Sequence, residues 1–298
     1  MIRHCEPIKL SILISSFKRI EYLRRTLFTI ATNEPKCAYE VILADETSDQ
    51  TPQIIEELHL YDATFPWTLV ACSQKKFEED GGPPKFFNNP SWTNNVAYKN
   101  SRGSLIVMQG NEVLPWKNCY NQILEEYDNL KEENNHIMVY TTTYDMPEEI
   151  QIASGPQSAN LTQNMVNYCS QWPLQSKQLH SMVTNYISLT SKEVWELIGG
   201  YDETYLHGIA CDDSDFSRRF KSLPGAQYVY SDAVSLHCNH GSKSMYQKPK
   251  ASIVTEDRWD TGLAINRAHY AKWDGTPKNP QTWPIGTYGV TDLIRNGY

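Results

Sequence analysis

Long apolar runs, paired cysteines and an excess of basic charge are all missing from this 298-residue sequence. No stretch approaches the ~18 consecutive apolar residues of a membrane-spanning helix, and the apolar run near the N-terminus is too short for a signal peptide. The seven cysteines include no Cys-x-x-Cys pair and show no zinc-ligand spacing. An odd number of scattered cysteines in a chain of this size is typical of reduced thiols. We therefore expect a soluble, cytoplasmic protein without a membrane span.

The shortage of basic residues limits the expected partners. Lys and Arg number 27 against 35 Asp and Glu, which gives a net charge of -8. Proteins that hold nucleic acid along an extended surface need a basic face, so we do not expect nucleic acid as a partner. The composition is otherwise ordinary for a globular domain, with 40% hydrophobic and 21% charged residues.

The first 115 residues alternate between strand and helix patterns. Apolar, β-branched runs predict buried strands at 8–17, 39–45, 67–73 and 104–110. Helical spacing predicts helices at 19–33, 51–61 and 93–101, the second with Thr51 as its N-cap. The Gly- and Pro-rich range 77–91 predicts a loop. Strands joined by helices imply a parallel sheet with right-handed crossovers.

The second half of the chain continues with less regular patterns. Helices are predicted at 118–135 and 211–223, a strand at 136–144, a strand that leads into a helix over 182–203, and a strand with its exit over 226–241. Ser191 is expected to cap its helix and Gly199-Gly200 to end it. The polar range 145–180 predicts a loop with one short helix at most. Residues 242–298, which hold several Pro, Gly and Trp, are expected to wrap the body as a tail.

Polar residues stand where several predicted strands end. Ligands of parallel α/β sheets sit at the carboxyl ends of the strands, which places Ser15, Ser16, Asp45 and the run Gln109–Glu112 along one rim. For an isolated Asp such as Asp45, a turn or a helix cap is at least as common as ligand binding. The rim is therefore a candidate binding edge that needs further support.

An acid cluster and two late histidines are further candidates. Asp212, Asp213 and Asp215 crowd the start of a predicted helix. Acids there can simply complement the helix dipole, but three of them also repel one another and raise their pKa, which is how a carboxylate is tuned as a general base. His237 and His240 follow a late strand, where a metal or phosphate role is open because their spacing specifies no zinc site.

Four stretches carry a resemblance to a known family. They are "LSILISSFKRIEYLRRTL", "YEVILADETSD", "NNVAYKNSRGSLIVMQGNEVLP" and "IGGYDETYLHGIACDDSDFSRRF". Their order and spacing between residues 9 and 240 resemble those of GT-A-fold glycosyltransferases, above all the inverting family 2. The resemblance implies an α/β, Rossmann-like, mixed and mostly parallel sheet flanked by helices. It implies one domain over 1–240, with a nucleotide-binding half (1–115) and an acceptor and catalytic half (116–240), followed by a lid and wrapping tail (241–298).

The resemblance also implies roles for single residues. Asp213 matches the second acid of the family's acid pair, the catalytic base, with Asp212 beside it. Trp172, Tyr186 and Asp215 are expected on the acceptor side. The implied donor contacts are Ser15, Ser16, Arg19, Asp45, Asn95, Gln109, Asn111 and Lys243.

The metal motif of the family is diluted in this sequence. "QGNEVLP" stands where the family has Asp-x-Asp, so that Gln109 and Asn111 replace both acids and only Glu112 carries charge. The resemblance still implies one Mn²⁺ or Mg²⁺ held by Glu112, Asn111 and His237, because hard cations prefer oxygen ligands. In the open alternative no metal binds, and basic residues of 240–250 neutralise a diphosphate instead. Those residues are Lys243, Lys248 and Lys250.

The resulting prediction is an inverting glycosyltransferase that moves a sugar from a nucleoside-diphosphate sugar to the hydroxyl of a glycan or another acceptor. UDP is the expected nucleotide because it is common in the family. In a second hypothesis, the lost acids mark a catalytically weak or inactive GT-A domain that binds nucleotide sugar or glycan without turnover.

Overall fold

A computed structural model describes residues 7–82, 89–154, 161–177, 184–239, 256–281 and 284–296. The strands in these ranges are β1 (Leu10–Ser16), β2 (Tyr39–Glu46), β3 (Trp67–Cys72), β4 (Leu105–Gly110), β5 (Val113–Pro115), β6 (Ile137–Met146), β7 (Pro173–Gln175), β8 (Ile187–Ser191), β9 (Gln227–Cys238) and β10 (Val290–Arg295). The helices are α1 (Ile20–Thr32), α2 (Thr51–His59), α3 (Gln74–Glu79), α4 (Ser91–Lys99), α5 (Cys119–Leu130), α6 (Glu148–Ser154), α7 (Gln163–Cys169), α8 (Lys192–Ile198), α9 (Asp212–Lys221) and α10 (Glu256–Tyr270), with a 3-10 turn at Glu203–His207.

One mixed sheet runs through the molecule in the order β10-β3-β2-β1-β4-β8-β6-β9-β5, and β7 pairs with β6. The neighbours β3, β2, β1 and β4 are parallel, as the alternating first half predicts. In the register, Ser16 lies opposite Asp45 and Ser15 opposite Gly110, so the polar strand ends do share one edge. The predicted mixed α/β sheet flanked by helices is confirmed.

Two apolar cores cover the two faces of this sheet because side chains alternate along each strand. Ile12 and Ile14 of β1 pack with α1, α2 and α5 on one face. Leu13 points to the other face, where α4, α8 and α9 contribute Trp92, Trp195 and Phe216. Both faces of β1 and β2 are buried, which explains why these strands read as nearly continuous apolar runs.

Local signals at the ends of α8 behave as predicted. The Ser191 hydroxyl accepts a hydrogen bond from the Val194 N–H at 3.1 Å. Gly199 follows with φ of 73°, the left-handed conformation that ends helices and favours glycine. The chain then turns sharply into the segment Gly200–Glu203, which leads toward α9.

Three regions differ from the prediction. Range 77–91 is not all loop, because α3 forms around Phe77, whose ring is buried 4.8 Å from that of Trp92. Range 145–180 holds α6, α7 and the short β7. Thr51 begins α2 instead of capping it, since Gln50 is the N-cap and makes no side-chain cap bond. For α3 the packing of Phe77 against Trp92 outweighs the local loop pattern.

The described part of the tail completes the sheet and the helix layer. β10 pairs antiparallel with β3, and the Asn279 amide donates to the Gly199 carbonyl at 3.0 Å and to the Tyr201 carbonyl at 2.7 Å. His269 of α10 contacts Asp202 at 2.7 Å. Among the described helices none is both long and apolar enough to cross a membrane.

Candidate functional site

The carboxyl ends of β1 and β2 carry an unsatisfied polar pair. Asp45 is fully buried, and its Oδ2 accepts a hydrogen bond from the Thr51 hydroxyl at 2.8 Å. Its Oδ1 and the Ser16 hydroxyl are buried without hydrogen-bond partners among the described residues. Burial raises the pKa of Asp45 to about 6; the Thr51 and Ser16 hydroxyls lower it, although Ser16 does not reach hydrogen-bonding geometry. Buried polar groups are normally paired, so the unpaired Asp45 Oδ1 and Ser16 hydroxyl are candidate hydrogen-bonding partners for a ligand.

Thr51 does not cap α2, because its hydroxyl is used in the turn after β2. Its hydroxyl donates to Asp45 and accepts from the Ser48 N–H at 2.9 Å, so it closes the turn after β2. The Gln50 side chain reaches the Ile20 N–H at 3.2 Å, which ties the starts of α1 and α2 together. Thr51 and Gln50 therefore fix the turn beside Asp45 and do not act as a helix cap.

The two amides that replace the family's acids take different positions. Gln109 is buried inside the sheet, where its Nε2 donates to the Val113 carbonyl at 2.9 Å and its Oε1 accepts from the Tyr120 hydroxyl at 2.6 Å. Both ends of this amide are satisfied, so Gln109 does not serve a ligand. Asn111 is 2% exposed, and neither amide atom has a partner among the described residues. It is the second unsatisfied polar group of the site.

Glu112 lies in a charged cluster beside Asn111. Arg19 Nη1 is 3.0 Å from Glu112 Oε1, and His237 Nε2 is 3.9 Å from the same oxygen. His237 Nδ1 contacts Asp145 Oδ1 at 2.9 Å, and Asp145 Oδ2 accepts from the Asn239 amide at 3.0 Å. Asp145 was not predicted as a site residue. Only the parallel pairing of β6 with β9 places Asp145 opposite His237, and local sequence does not predict this pairing.

The described residues do not fit the metal site expected of Glu112, Asn111 and His237. Mg²⁺ and Mn²⁺ favour several oxygen ligands, carboxylates above all. The single carboxylate of the set is already paired with Arg19, and Gln109 is turned away. In the described ranges no three His, Cys, Asp or Glu side chains converge as metal ligands. His240, Lys243, Lys248 and Lys250 lie outside the described residues.

The acid pair begins α9 after a strained turn. Ala210 and Cys211 have φ of 60° and 70°, a left-handed conformation that costs energy for residues with a side chain. Asp213 Oδ1 accepts from the Asn185 amide at 3.0 Å and from the Tyr201 hydroxyl at 3.1 Å. These contacts hold the Asp213 carboxylate in one position.

Burial favours the protonated form of both carboxylates of the acid pair. Burial raises the pKa of Asp213, against the hydrogen bonds from Tyr201 and Asn185. Burial and then the charge of Asp213 raise the pKa of Asp212 to about 7. Buried carboxylates whose pKa values are raised in this way are the kind of group that serves general acid–base chemistry.

Tyr186 connects the acid pair with the Glu112 cluster. Its carbonyl accepts from the Gly110 N–H at 3.0 Å, and its ring lies 5.2 Å from that of His237. Burial raises the pKa of Tyr186 to about 12, and the charges of Asp213, Glu112 and Asp145 add to this effect. The charges of all three acids therefore act on the Tyr186 hydroxyl.

The start of α4 makes a second connection, from the β1 edge to Asp212. The hydroxyls of Ser15 and Thr93 are 2.5 Å apart. Asn89, just before α4, lies beside Asp212 and lowers its pKa. Contacts through the start of α4 thus link Ser15 to Asp212, and we call these two residues, Asp213 and the Glu112 cluster the candidate cleft.

Asn95 is not part of this cleft. It is fully buried, and its amide donates to the Tyr201 carbonyl and to Glu203 Oε1, each at 2.9 Å. Its Oδ1 accepts from the Tyr201 N–H at 2.9 Å. Glu203 in turn accepts from the Gly286 N–H at 2.8 Å. Asn95 therefore fastens the turn before α9 to α4 and the tail, and we remove it from the donor contacts.

Asp215 also has a different role from the one expected. Its oxygens pair with Arg218 and Arg219, each at 2.7 Å. Arg219 is fully buried and donates to the carbonyls of Ile198 at 2.6 Å and Gly200 at 2.9 Å. Asp215 thus binds α9 to the end of α8 and does not face an acceptor.

Trp172 is a partly exposed aromatic residue whose backbone bonds to Asp145. It is 39% exposed, and its ring centroid is 4.9 Å from that of Tyr168. Its carbonyl accepts from the Asp145 N–H at 2.8 Å, which places the aromatic pair one residue away from the Glu112 cluster. The position is compatible with the acceptor side expected from the sequence.

No protein-family model and no curated protein sequence matches this chain. Solved structures do. The mannosyltransferase PcManGT from Pyrobaculum calidifontis, in complex with GDP-Man and Mn²⁺, has a TM-score of 0.52 and 13% identity over 81% of this chain and 59% of its own. GalNAc-T7 with UDP, GalNAc and Mn²⁺ has a TM-score of 0.52 and 11% identity over 89% and 50%. S. aureus TarS with UDP-GlcNAc has a TM-score of 0.49 and 12% identity over 90% and 68%.

The chain spans less than two thirds of the mannosyltransferase and of GalNAc-T7. At these identities the similarity establishes the fold and leaves activity to the site itself. The fold of this chain is the GT-A fold of the glycosyltransferases.

Proposed function

We propose that the protein is an inverting glycosyltransferase, of the family 2 kind, that moves a sugar from a nucleoside-diphosphate sugar to an acceptor hydroxyl. UDP is the nucleotide we propose first. The observation that carries this proposal is the position of Asp213. Asn185 and Tyr201 hold its carboxylate, and Tyr186 connects it to the turn after β4 and to the cluster of Glu112.

The nucleotide would lie across the ends of β1 and β2. The unpaired Oδ1 of Asp45 can accept a hydrogen bond from a base or a ribose, and the Ser16 hydroxyl beside it can donate or accept. Ser15 and Arg19 extend this edge toward the cleft, where the diphosphate would reach Asn111. Gln109 and Asn95 are excluded, because the protein itself satisfies their amides.

Asp213 would act as the general base. The acceptor hydroxyl transfers its proton to the Asp213 carboxylate while its oxygen forms a bond to the anomeric carbon. The bond from that carbon to the phosphate oxygen breaks, and the diphosphate leaves with the electron pair. Asp212 lies beside this base, and attack opposite the leaving group inverts the anomeric centre. Tyr186 and the exposed Trp172 would contact the acceptor.

A donor screen tests the proposal. UDP- and GDP-linked sugars are incubated with the protein, a panel of glycans and Mn²⁺, and free nucleotide is measured. Acceptor-dependent release from at least one donor, with a product of inverted anomeric configuration, is the expected result. Nucleotide-sugar binding without release from any donor would favour the second hypothesis, a GT-A domain that binds without turnover. If no nucleotide binds, both hypotheses are wrong.

Asp45 makes nucleoside binding dependent on pH. Only the ionised carboxylate is a full acceptor, and its pKa of about 6 means that the ionised fraction falls as the pH drops below that value. The affinity for the nucleoside that corresponds to the preferred donor should be constant above pH 7 and about tenfold weaker at pH 5. Calorimetric titrations between pH 5 and 8 measure this. In Asp45→Asn the affinity should be low and independent of pH; a pH dependence that survives this change would contradict the assignment.

A further inference from the structure

Arg19 occupies the position between the nucleotide edge and the diluted metal motif. It follows β1 directly and stands immediately before α1. Its side chain is 39% exposed, and Nη1 lies 3.0 Å from Glu112 Oε1. A guanidinium has five N–H donors in a planar fork, and Glu112 takes one of them. The Arg19 side chain has no second partner among the described residues, so most of its N–H donors are available to a ligand.

The charge balance around Glu112 disfavours a divalent cation. A cation would need the Glu112 carboxylate as its main ligand, but Arg19 already compensates that charge. Binding a cation here would displace this ion pair and bring a second positive charge next to the Arg19 guanidinium.

An anion meets the opposite situation. A phosphate oxygen can bind the remaining N–H groups of Arg19 without breaking its contact with Glu112, and the planar fork matches phosphate geometry. Asn111, the neighbour of Glu112 in the chain, is 2% exposed, and its amide has no hydrogen-bond partner among the described residues, so it is a further candidate donor for the phosphate. The neighbouring His237 is held by Asp145, so its other nitrogen faces Glu112.

We propose that Arg19 neutralises the diphosphate of the donor directly and that this chain needs no divalent cation for donor binding. This inference rests on the proposed function. Glu112 is then a positioning residue that holds the guanidinium, not a metal ligand. When the diphosphate leaves, Arg19 stabilises the charge that develops on the phosphate oxygen.

The test compares nucleotide binding with and without free metal. UDP, GDP, uridine and guanosine are titrated calorimetrically against the full chain in Mn²⁺ and in excess EDTA. We expect the affinity for the preferred diphosphate to agree within about threefold in the two buffers. Arg19→Gln should weaken diphosphate binding about 10- to 100-fold, the usual effect of losing a charged hydrogen bond, and leave nucleoside binding unchanged.

Arg24→Gln is the matched control. Arg24 lies on the same helix, is 37% exposed and makes ion pairs with Glu21 and Glu57. It should leave the ratio of diphosphate to nucleoside affinity unchanged. If both variants lower that ratio equally, the effect of Arg19 is not specific and the assignment is wrong.

Glu112→Gln gives opposite results for the two roles. As a metal ligand, Glu112 would be required, and its loss would abolish Mn²⁺-dependent binding. As a positioning residue, Glu112 both holds Arg19 and repels the diphosphate. These two effects oppose each other, so its loss should change the affinity less than about fivefold in either direction.

A strict need for Mn²⁺ in the unmodified protein overturns the inference while the proposed function stands. EDTA-resistant binding that Arg19→Gln does not weaken also overturns it and points to the lysines of 240–250. Binding of no nucleotide in either buffer refutes the proposed function itself.

Discussion

Asp213→Asn should reduce sugar transfer about 100- to 10,000-fold, the range expected when a general base is removed. The amide cannot take the proton of the acceptor hydroxyl, but it can still accept hydrogen bonds from Asn185 and Tyr201. The donor edge around Asp45 is therefore preserved. Product formation is measured together with the affinity for the donor nucleotide, which should stay within about threefold of the unmodified protein.

Asp232→Asn is the control for this change. Asp232 is an acid whose side chain is 90% exposed, and its ion pair with Lys177 lies outside the cleft. The same loss of one negative charge should leave transfer unaffected there. If Asp213→Asn lowers donor affinity as strongly as the rate, Asp213 acts on donor binding and its assignment as base is wrong.

Asp215→Asn should be the most destabilising change of a single acid at the start of α9. It leaves Arg219, which is fully buried, without a charged partner. Breaking one side of a buried ion pair costs about 3–5 kcal/mol, because the remaining charge is neither solvated nor compensated. Urea unfolding followed by tryptophan fluorescence measures the loss in the free energy of unfolding.

The exposed pair of Asp128 and Lys131 provides the comparison. It has the same spacing as Asp215 and Arg218, but its side chains are 36% and 49% exposed. Asp128→Asn should cost less than about 1 kcal/mol, since surface ion pairs contribute little. A loss of this small size for Asp215→Asn as well would show that Arg219 finds other compensation, and our account of the junction between α8 and α9 would be wrong.

Most of the elements that build the sheet could be read from local sequence. The apolar runs of β1 to β4 are long and β-branched, and burial of both faces requires this pattern wherever the strand lies. The cap at Ser191 and the stop at Gly199 depend on bonds within one turn of the helix, so residue type alone predicts them. The crowding of Asp212 and Asp213 was equally visible, because its effect on pKa is a matter of neighbours in the chain.

Other parts of the site depend on contacts between distant segments. Asn95 and Gln109 are amides like Asn111, but their partners Tyr201, Glu203 and Tyr120 are set by the packing of other elements. Asp145 acquires its role only where β6 meets β9. β10 is half-exposed, and its partner β3 lies more than 200 residues earlier in the chain, so local sequence does not predict their pairing.

The sequence by itself determined strands β1 to β4, the polar edge of the sheet and the pair of acids, because short-range periodicity, capping and charge crowding act between close neighbours in the chain. The tertiary structure alone decided which amides are satisfied inside the protein, that Arg19 pairs with Glu112, and that Asn185 and Tyr201 hold the Asp213 carboxylate. Hydrogen bonds and ion pairs reach only about 3 Å, so their partners are fixed by folding and not by spacing along the chain.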